Sequence, residues 1–117
     1  MHIISGEKKG TKLSDFKGVL IRPTSQRIKE AIFNILENSK FAIKIKDKVV
    51  FDLFAGSGAL GLEALSRGSK KVYFFEKEKK AIKLIEKNIN KLNYSKKSLI
   101  IENDVNEIND SYNEKAD

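Results

Sequence analysis

Apolar residues at Ile28, Ala31, Ile32, Ile35 and Leu36 recur at i, i+3, i+4, i+7 and i+8, the stripe of an amphipathic helix. Pro23 precedes this stripe, and Thr24 or Ser25 suits the N-cap. Further on the period changes. Lys48-Val49-Val50-Phe51-Asp52-Leu53 is a short apolar run that ends at Ala55-Gly56-Ser57-Gly58, as expected of a strand buried on both faces of a parallel sheet. A helix is predicted from about Ala59 to Arg67, stopped by Gly68. Lys71 to Glu76 reads as a second strand. Ala81, Ile82, Ile85, Ile89 and Leu92 mark a second crossover helix with Asn93 as its stop, and Ser98 to Glu102 reads as a third strand. Ahead of all this, His2-Ile3-Ile4-Ser5, a turn at Gly6 to Gly10, and Thr11-Lys12-Leu13 predict a small β-hairpin with a basic tip. The order β-α-β-α-β implies parallel strands joined by right-handed crossovers in an open α/β sheet. Past Val105 the pattern fades into an acidic, polar stretch, which leaves a sheet edge open and suggests that something is missing.

A chain of 117 residues has room for one domain. With 40% hydrophobic and 33% charged residues, wholesale disorder is not expected. The absence of cysteine removes disulfides and thiolate metal sites and fits a reducing cytosol. No run has the length of a membrane span and the first residues lack a signal-peptide layout, so a cytoplasmic protein without membrane or metal partners is expected. The net charge is +7, unevenly spread. Residues 1–47 carry ten Lys/Arg against five Asp/Glu and residues 48–97 twelve against five, whereas residues 98–117 carry one against six. A basic body favours a polyanion through counterion release. A lysine-, isoleucine- and asparagine-rich composition of the kind AT-rich genomes give explains the same charge, so charge alone does not name the partner.

Gly56-Ser57-Gly58-Ala59-Leu60-Gly61 is G-x-G-x-x-G between a strand and a helix, a pattern that also suits a dinucleotide. Glu76 ends the next strand, eighteen residues beyond Gly58, where a ribose-binding acid belongs. Nicotinamide dinucleotides and S-adenosylmethionine both present a ribose diol, so Glu76 does not separate them. Asp52 helps, because a carboxylate four residues before Gly56 suits a ligand carrying an ammonium and a sulfonium better than a pyrophosphate. Asp104 makes a third acid at a third strand end, placed for an adenine amino group. Three acids around one glycine loop point to a cationic adenosyl ligand.

The stretch Asp52 to Gly68, DLFAGSGALGLEALSRG, closely resembles the bacterial RsmD-type methyltransferases. So do Ile3-Ile4-Ser5-Gly6 with Gly10 and Leu13, and Arg22-Pro23-Thr24 with Arg27, Glu30, Ala31, Phe33, Asn34, Ile35 and Leu36. The resemblance covers nearly everything from Met1 to about Asp104. It implies a Rossmann-like class I methyltransferase fold, truncated after the third parallel strand, with an N-terminal β-hairpin and helix. Residues 1–20 would form the hairpin and connector and residues 21–117 an incomplete S-adenosylmethionine-binding domain. The implied reaction is methylation of a guanine exocyclic amine in small-subunit ribosomal RNA, as free RNA or in an assembly intermediate. By the same resemblance Asp52 and the backbone of Ala55, Gly56, Ser57 and Gly58 would hold the methionine moiety. Glu76 would take the ribose, and Asp104 with the Val105 N–H the adenine. Thr24 and Arg27 would lie near the methionine end or the RNA, although a helix cap and a solvated first-turn residue account for them equally well. Lys8, Lys9, Lys12 and Arg22 would contact phosphates. His2 is expected to be a hairpin residue, not a ligand or base.

One departure stands out. The family places an Asp or Asn, two prolines and an aromatic at the end of a fourth strand to hold the target base. This sequence has a single proline, so the chain alone is expected to be inactive or a fragment of an active enzyme. The alternatives are a non-catalytic RNA-binding remnant and, on glycine spacing alone, a nicotinamide-dependent oxidoreductase domain.

Overall fold

Three apolar runs too short for helices alternate with two helical periodicities, and the chain folds accordingly in a computed structural model that describes residues 1–15, 26–38, 45–53 and 55–102. Arg22, Thr24, Asp104 and Val105 lie outside those residues. The elements are α1 (Gln26–Asn38), β1 (Val49–Asp52), α2 (Ala59–Ser66), β2 (Lys71–Phe75), α3 (Lys79–Lys91), a 3₁₀ turn (Ser95–Lys97) and β3 (Ser98–Ile101). The 3₁₀ turn carries no apolar periodicity, and the sequence gives no sign of it. The strands pair in parallel in the order β1-β2-β3, with Val50 opposite Val72 and Phe74 opposite Ile100. Parallel neighbours need a crossover, and α2 and α3 supply the two. Gly68 (φ 102°) follows α2 and Asn93 (φ 60°) follows α3, both in the left-handed conformation that ends a helix.

β2 is the central strand, and period two sends its residues to opposite faces. Val72 and Phe74 join Leu62 and Leu65 of α2, Ile85 and Ile89 of α3, and Phe33 of α1 in the main core. Tyr73 and Phe75 lie on the other face with Val49, Phe51 and Ile101, where the Phe51 ring meets Tyr73 edge-on at 5.1 Å and Phe75 at 5.4 Å. Burial on both faces explains why the β2 sequence does not alternate.

α2 lies close against β2 because Gly61 has no side chain. A Cβ there would press into the Phe74 ring and come within 2.9 Å of Val72 Cγ1. Gly61→Ala is therefore expected to cost about 1–3 kcal/mol through overpacking, read as a lowered urea midpoint. An unchanged midpoint would mean that helix and strand separate freely.

One expectation needs correction. The stripe on α1 is turned. Ile28 (55% exposed), Ile35 (66%) and Ala31 face outward, Ile32 and Leu36 are half-buried, and the fully buried positions are Lys29 and Phe33. The N-terminal hairpin pairs His2 with Lys12 in an antiparallel bridge, and the N–H groups of Ile3, Gly10 and Leu13 donate across it to the carbonyls of Thr11, Ile3 and Met1 at 2.9, 2.8 and 2.9 Å. It also docks on the rest of the chain. Ile3 and Leu13 enter the main core, and the tip binds the end of α2, where the Ser66 carbonyl accepts from the Glu7 N–H at 2.8 Å and Ser66 Oγ accepts from the Lys8 N–H at 2.9 Å.

The turned stripe has a cause on α2. Glu63, fully buried on α2, accepts from the N–H groups of Ile4 (2.9 Å) and Ser5 (3.1 Å), from Lys29 Nζ (3.1 Å) and from Arg67 Nε (3.0 Å). Lys29 Nζ also donates to the His2 carbonyl at 2.8 Å, and the Arg67 guanidinium reaches Glu37 at 2.6 Å. One carboxylate thus ties the hairpin, α1 and α2 together, and it draws the lysine face of α1 inward.

Candidate functional site

The carboxyl ends of β1 and β2 open onto the turn from β1 into α2, where Gly56 (φ 55°) and Gly58 (φ 83°) give the loop its course. A Cβ at Gly56 would meet nothing within 4 Å, so the loop backbone faces open space there. Two acids hold this loop. Asp52, buried at the end of β1, accepts the Gly61 N–H with Oδ2 at 3.2 Å. Glu76, just past β2, accepts the Gly56 N–H with Oε1 at 2.9 Å and the N–H groups of Lys77 and Glu78 with Oε2 at 3.0 and 2.9 Å. The Gly58 N–H donates to the Ala55 carbonyl at 2.7 Å.

This arrangement has an electrostatic consequence. In a diphosphate-binding loop the glycine amides and the helix N-terminus point at the anion. Here the amides of Gly56, Gly58 and Gly61 already serve internal acceptors, and two of those acceptors are carboxylates. The crevice therefore carries negative charge and offers few free loop donors. It suits a cation with hydroxyl groups better than a pyrophosphate. A carboxylate has about four lone-pair sites, so Glu76 keeps acceptor capacity for a hydroxyl beside its three backbone donors.

The structure thus brings Asp52, Ala55, Gly56, Ser57, Gly58 and Glu76 together at one crevice; Thr24, Asp104 and Val105 fall outside the described residues. Of the basic residues, Lys9, Lys12 and Arg27 are exposed and Lys8 is half-buried with its ammonium 5.9 Å over the Tyr94 ring; Arg22 is outside the described residues. The hairpin tip sits at the C-terminal end of α2, away from the glycine loop at its N-terminal end. His2 is exposed and its backbone carries the hairpin contacts: its N–H donates to Gln26 Oε1, and its carbonyl accepts from Gln26 Nε2.

Sequence reasoning assigned no role to Asn88, which is fully buried in α3. Its Oδ1 accepts the Ser14 N–H at 2.7 Å, and its Nδ2 donates to the carbonyls of Ser14 and Ser57, both at 3.1 Å. It links the hairpin exit to the glycine loop. The signal was available, because an amide at position 88 falls on the same helix face as Ala81, Ile85 and Ile89. Among the described residues no group of three or more His, Cys, Asp or Glu could hold a metal ion, and no helix is long and apolar enough to cross a membrane.

Parallel strands with helical crossovers, a glycine turn after β1 and acids at successive strand ends define the Rossmann-like fold of class I methyltransferases. Over residues 1–117 the chain matches the family described as Conserved hypothetical protein 95, and it belongs to that family. It is 45% identical over 94 residues to the ribosomal RNA small subunit methyltransferase D of Buchnera aphidicola, covering 80% of this chain and 46% of that protein. With the protein of the same name from Haemophilus influenzae the identity is 41%, covering 81% and 47%. The Escherichia coli protein yhhF, assigned as a methyltransferase, superposes with a TM-score of 0.72 at 32% identity over 90% of this chain and 53% of its own. The chain spans about half the length of the relatives it matches.

Proposed function

We propose that this chain is the methyl-donor-binding portion of an S-adenosylmethionine-dependent methyltransferase whose target is a guanine exocyclic amine of small-subunit ribosomal RNA. The observation that carries the donor reading is the pair of strand-end carboxylates bonded to the amides of Gly61, in the first turn of α2, and of Gly56, in the loop before it. The relatives' names support the RNA reading, since two of them are small-subunit ribosomal RNA methyltransferases. In this reading Asp52 and the backbone of Ala55 to Gly58 take the methionine end, Glu76 the ribose, and Asp104 with the Val105 N–H the adenine. Thr24 is assigned to the methionine end as well. Residues 1–20 serve the RNA through Lys8, Lys9 and Lys12, and Arg22 and Arg27 are assigned to the RNA too. The bound donor supplies a methyl group already activated on a sulfonium, so the protein's part is orientation, not strong base chemistry.

No residue of this chain is assigned to the transfer itself. Pro23 is its single proline, so the paired prolines expected at the target base are not among these 117 residues. An apolar groove of about 460 Å³ beside β1, lined by Ile32, Leu36, Val50, Leu53 and Leu60, supports a reading in which further strands and the base pocket pack there. The chain alone is expected to bind donor and to transfer no methyl to ribosomal RNA. Tritium incorporation from labelled donor would sink the second half of that statement.

Calorimetry tests the donor half. Saturable binding of S-adenosylhomocysteine by the folded chain is expected, with none for NADH at the same concentration. Binding of NADH alone would reverse the assignment to the oxidoreductase reading.

A further inference from the structure

The chain carries a second basic surface that the hairpin lysines do not account for. Lys79, Lys83, Lys87 and Lys91 recur every four residues along α3 and are all exposed. Residues at i and i+4 are neighbours on a helix, so each successive pair is repulsive. Glu86 is the helix's only acid. Lys79 and Lys80 also occupy the first turn, where the helix dipole disfavours cations. None of the four striped lysines forms an ion pair with a described residue. Helix stability therefore does not explain the stripe, which runs about 18 Å at 1.5 Å per residue.

The stripe leads into a groove. Lys87 and Lys91 form one wall and Lys12, Leu13, Ser14 and Asp15 the other, around a volume of about 330 Å³. The groove's one carboxylate, Asp15, lies 3.4 Å from the ammonium of Met1. Asn88 fixes the two walls to each other through both of its bonds to Ser14, and its third bond reaches the Ser57 carbonyl in the glycine loop. The groove is thus held at a set position relative to the crevice.

We propose that this groove, with the Lys79–Lys83–Lys87–Lys91 stripe, seats the phosphodiester backbone of the RNA substrate and registers it against the methyl-donor site. The proposal rests on the RNA reading above and extends it to α3. Phosphate contacts of this kind position a nucleic acid without reading its bases.

The test is fluorescence anisotropy of a fluorescein-labelled RNA hairpin with the 117-residue chain, titrated across KCl concentrations. Lys83→Gln/Lys87→Gln/Lys91→Gln removes three exposed charges and is expected to leave the circular dichroism spectrum and S-adenosylhomocysteine affinity unchanged. Each lost lysine–phosphate contact lowers the slope of log affinity against log salt by about 0.7–0.9, so the slope should fall by about 2–3. Lys46→Gln/Lys48→Gln/Lys70→Gln removes the same charge near the amino ends of β1 and β2 and is expected to change the slope by less than about 1. Equal losses in the two variants, or no loss in the groove variant, would overturn the proposal while leaving the RNA reading standing. A wild-type chain that binds S-adenosylhomocysteine but no RNA would overturn both and leave the donor reading intact.

Discussion

Glu63→Gln is expected to destabilise the chain by about 3–5 kcal/mol, because it leaves the Lys29 ammonium buried without a counter-charge. Both side chains are fully buried, so solvent screening does not soften the loss. The two partners are not equivalent. Burial pushes the Glu63 carboxyl up, but the Ile4 N–H, the Arg67 guanidinium and Lys29 together outweigh it and hold the group below its ordinary value of 4.5. For Lys29, by contrast, burial dominates: the attraction of Glu63 does not make up for it and Arg67 adds repulsion, so the amine falls below 10.5. Glu63 has four partners against two for Lys29, and its charge is the one the fold favours. Lys29→Met, which keeps most of the volume and drops the desolvation cost, is accordingly expected to be much milder than Glu63→Gln.

The pH dependence has a definite sign. A carboxylate depressed in the folded state contributes its full stability above the unfolded value and loses it as pH falls through the folded one. The stability gap between wild type and Glu63→Gln should therefore be widest above about pH 4.5 and shrink as pH falls below it. Urea midpoints from pH 3 to 7 measure it; a gap that stays constant with pH would mean that Glu63 is not ionised in the fold.

Glu76→Ala should produce the largest change in ligand affinity. The substitution removes the acceptor for three backbone N–H groups and the acid assigned to the ribose diol. A hydrogen bond to a charged group contributes about 1.5–3 kcal/mol, so S-adenosylhomocysteine should bind about 10- to 100-fold more weakly. Asp52→Asn separates charge from structure, since the amide oxygen can still accept the Gly61 N–H. Its urea midpoint should stay close to wild type while calorimetric affinity falls. A Glu76→Ala protein that folds and binds as tightly as wild type would remove Glu76 from the site.

The strands and helices were legible because each rests on a local rule: apolar runs of four or five residues, a 3.6-residue period, and Gly68 and Asn93 at the stops. The placement of Asp52, Gly56 and Glu76 was legible for the same reason, since each holds a fixed place relative to a strand end. The orientation of α1 was not. Periodicity assumes that apolar residues face inward, and at Lys29 the buried carboxylate of Glu63, on the next helix, overrode it. Glu63 did leave a trace, as the lone charge in the otherwise apolar and small ALGLEALS helix, but nothing in the sequence paired it with Lys29. The inward place of Asn88 was legible from its helix face, but its partners were not, because they are backbone groups that any residue could supply.

The hairpin precedes every helix and parallel strand described, and apart from the bonds of His2 to Gln26 and Lys29 its hydrogen-bonded anchors are residues synthesised much later. Ile4, Ser5 and Lys8 bond to residues 58 to 61 positions downstream, and Ser14 to one 74 positions downstream. At about 5–20 residues per second, Ile3 and Leu13 stay uncovered for about 3–15 s of synthesis. A nascent chain stalled before Glu63 should accordingly be cut by protease within its first fifteen residues, and one stalled well past Asn88 should resist.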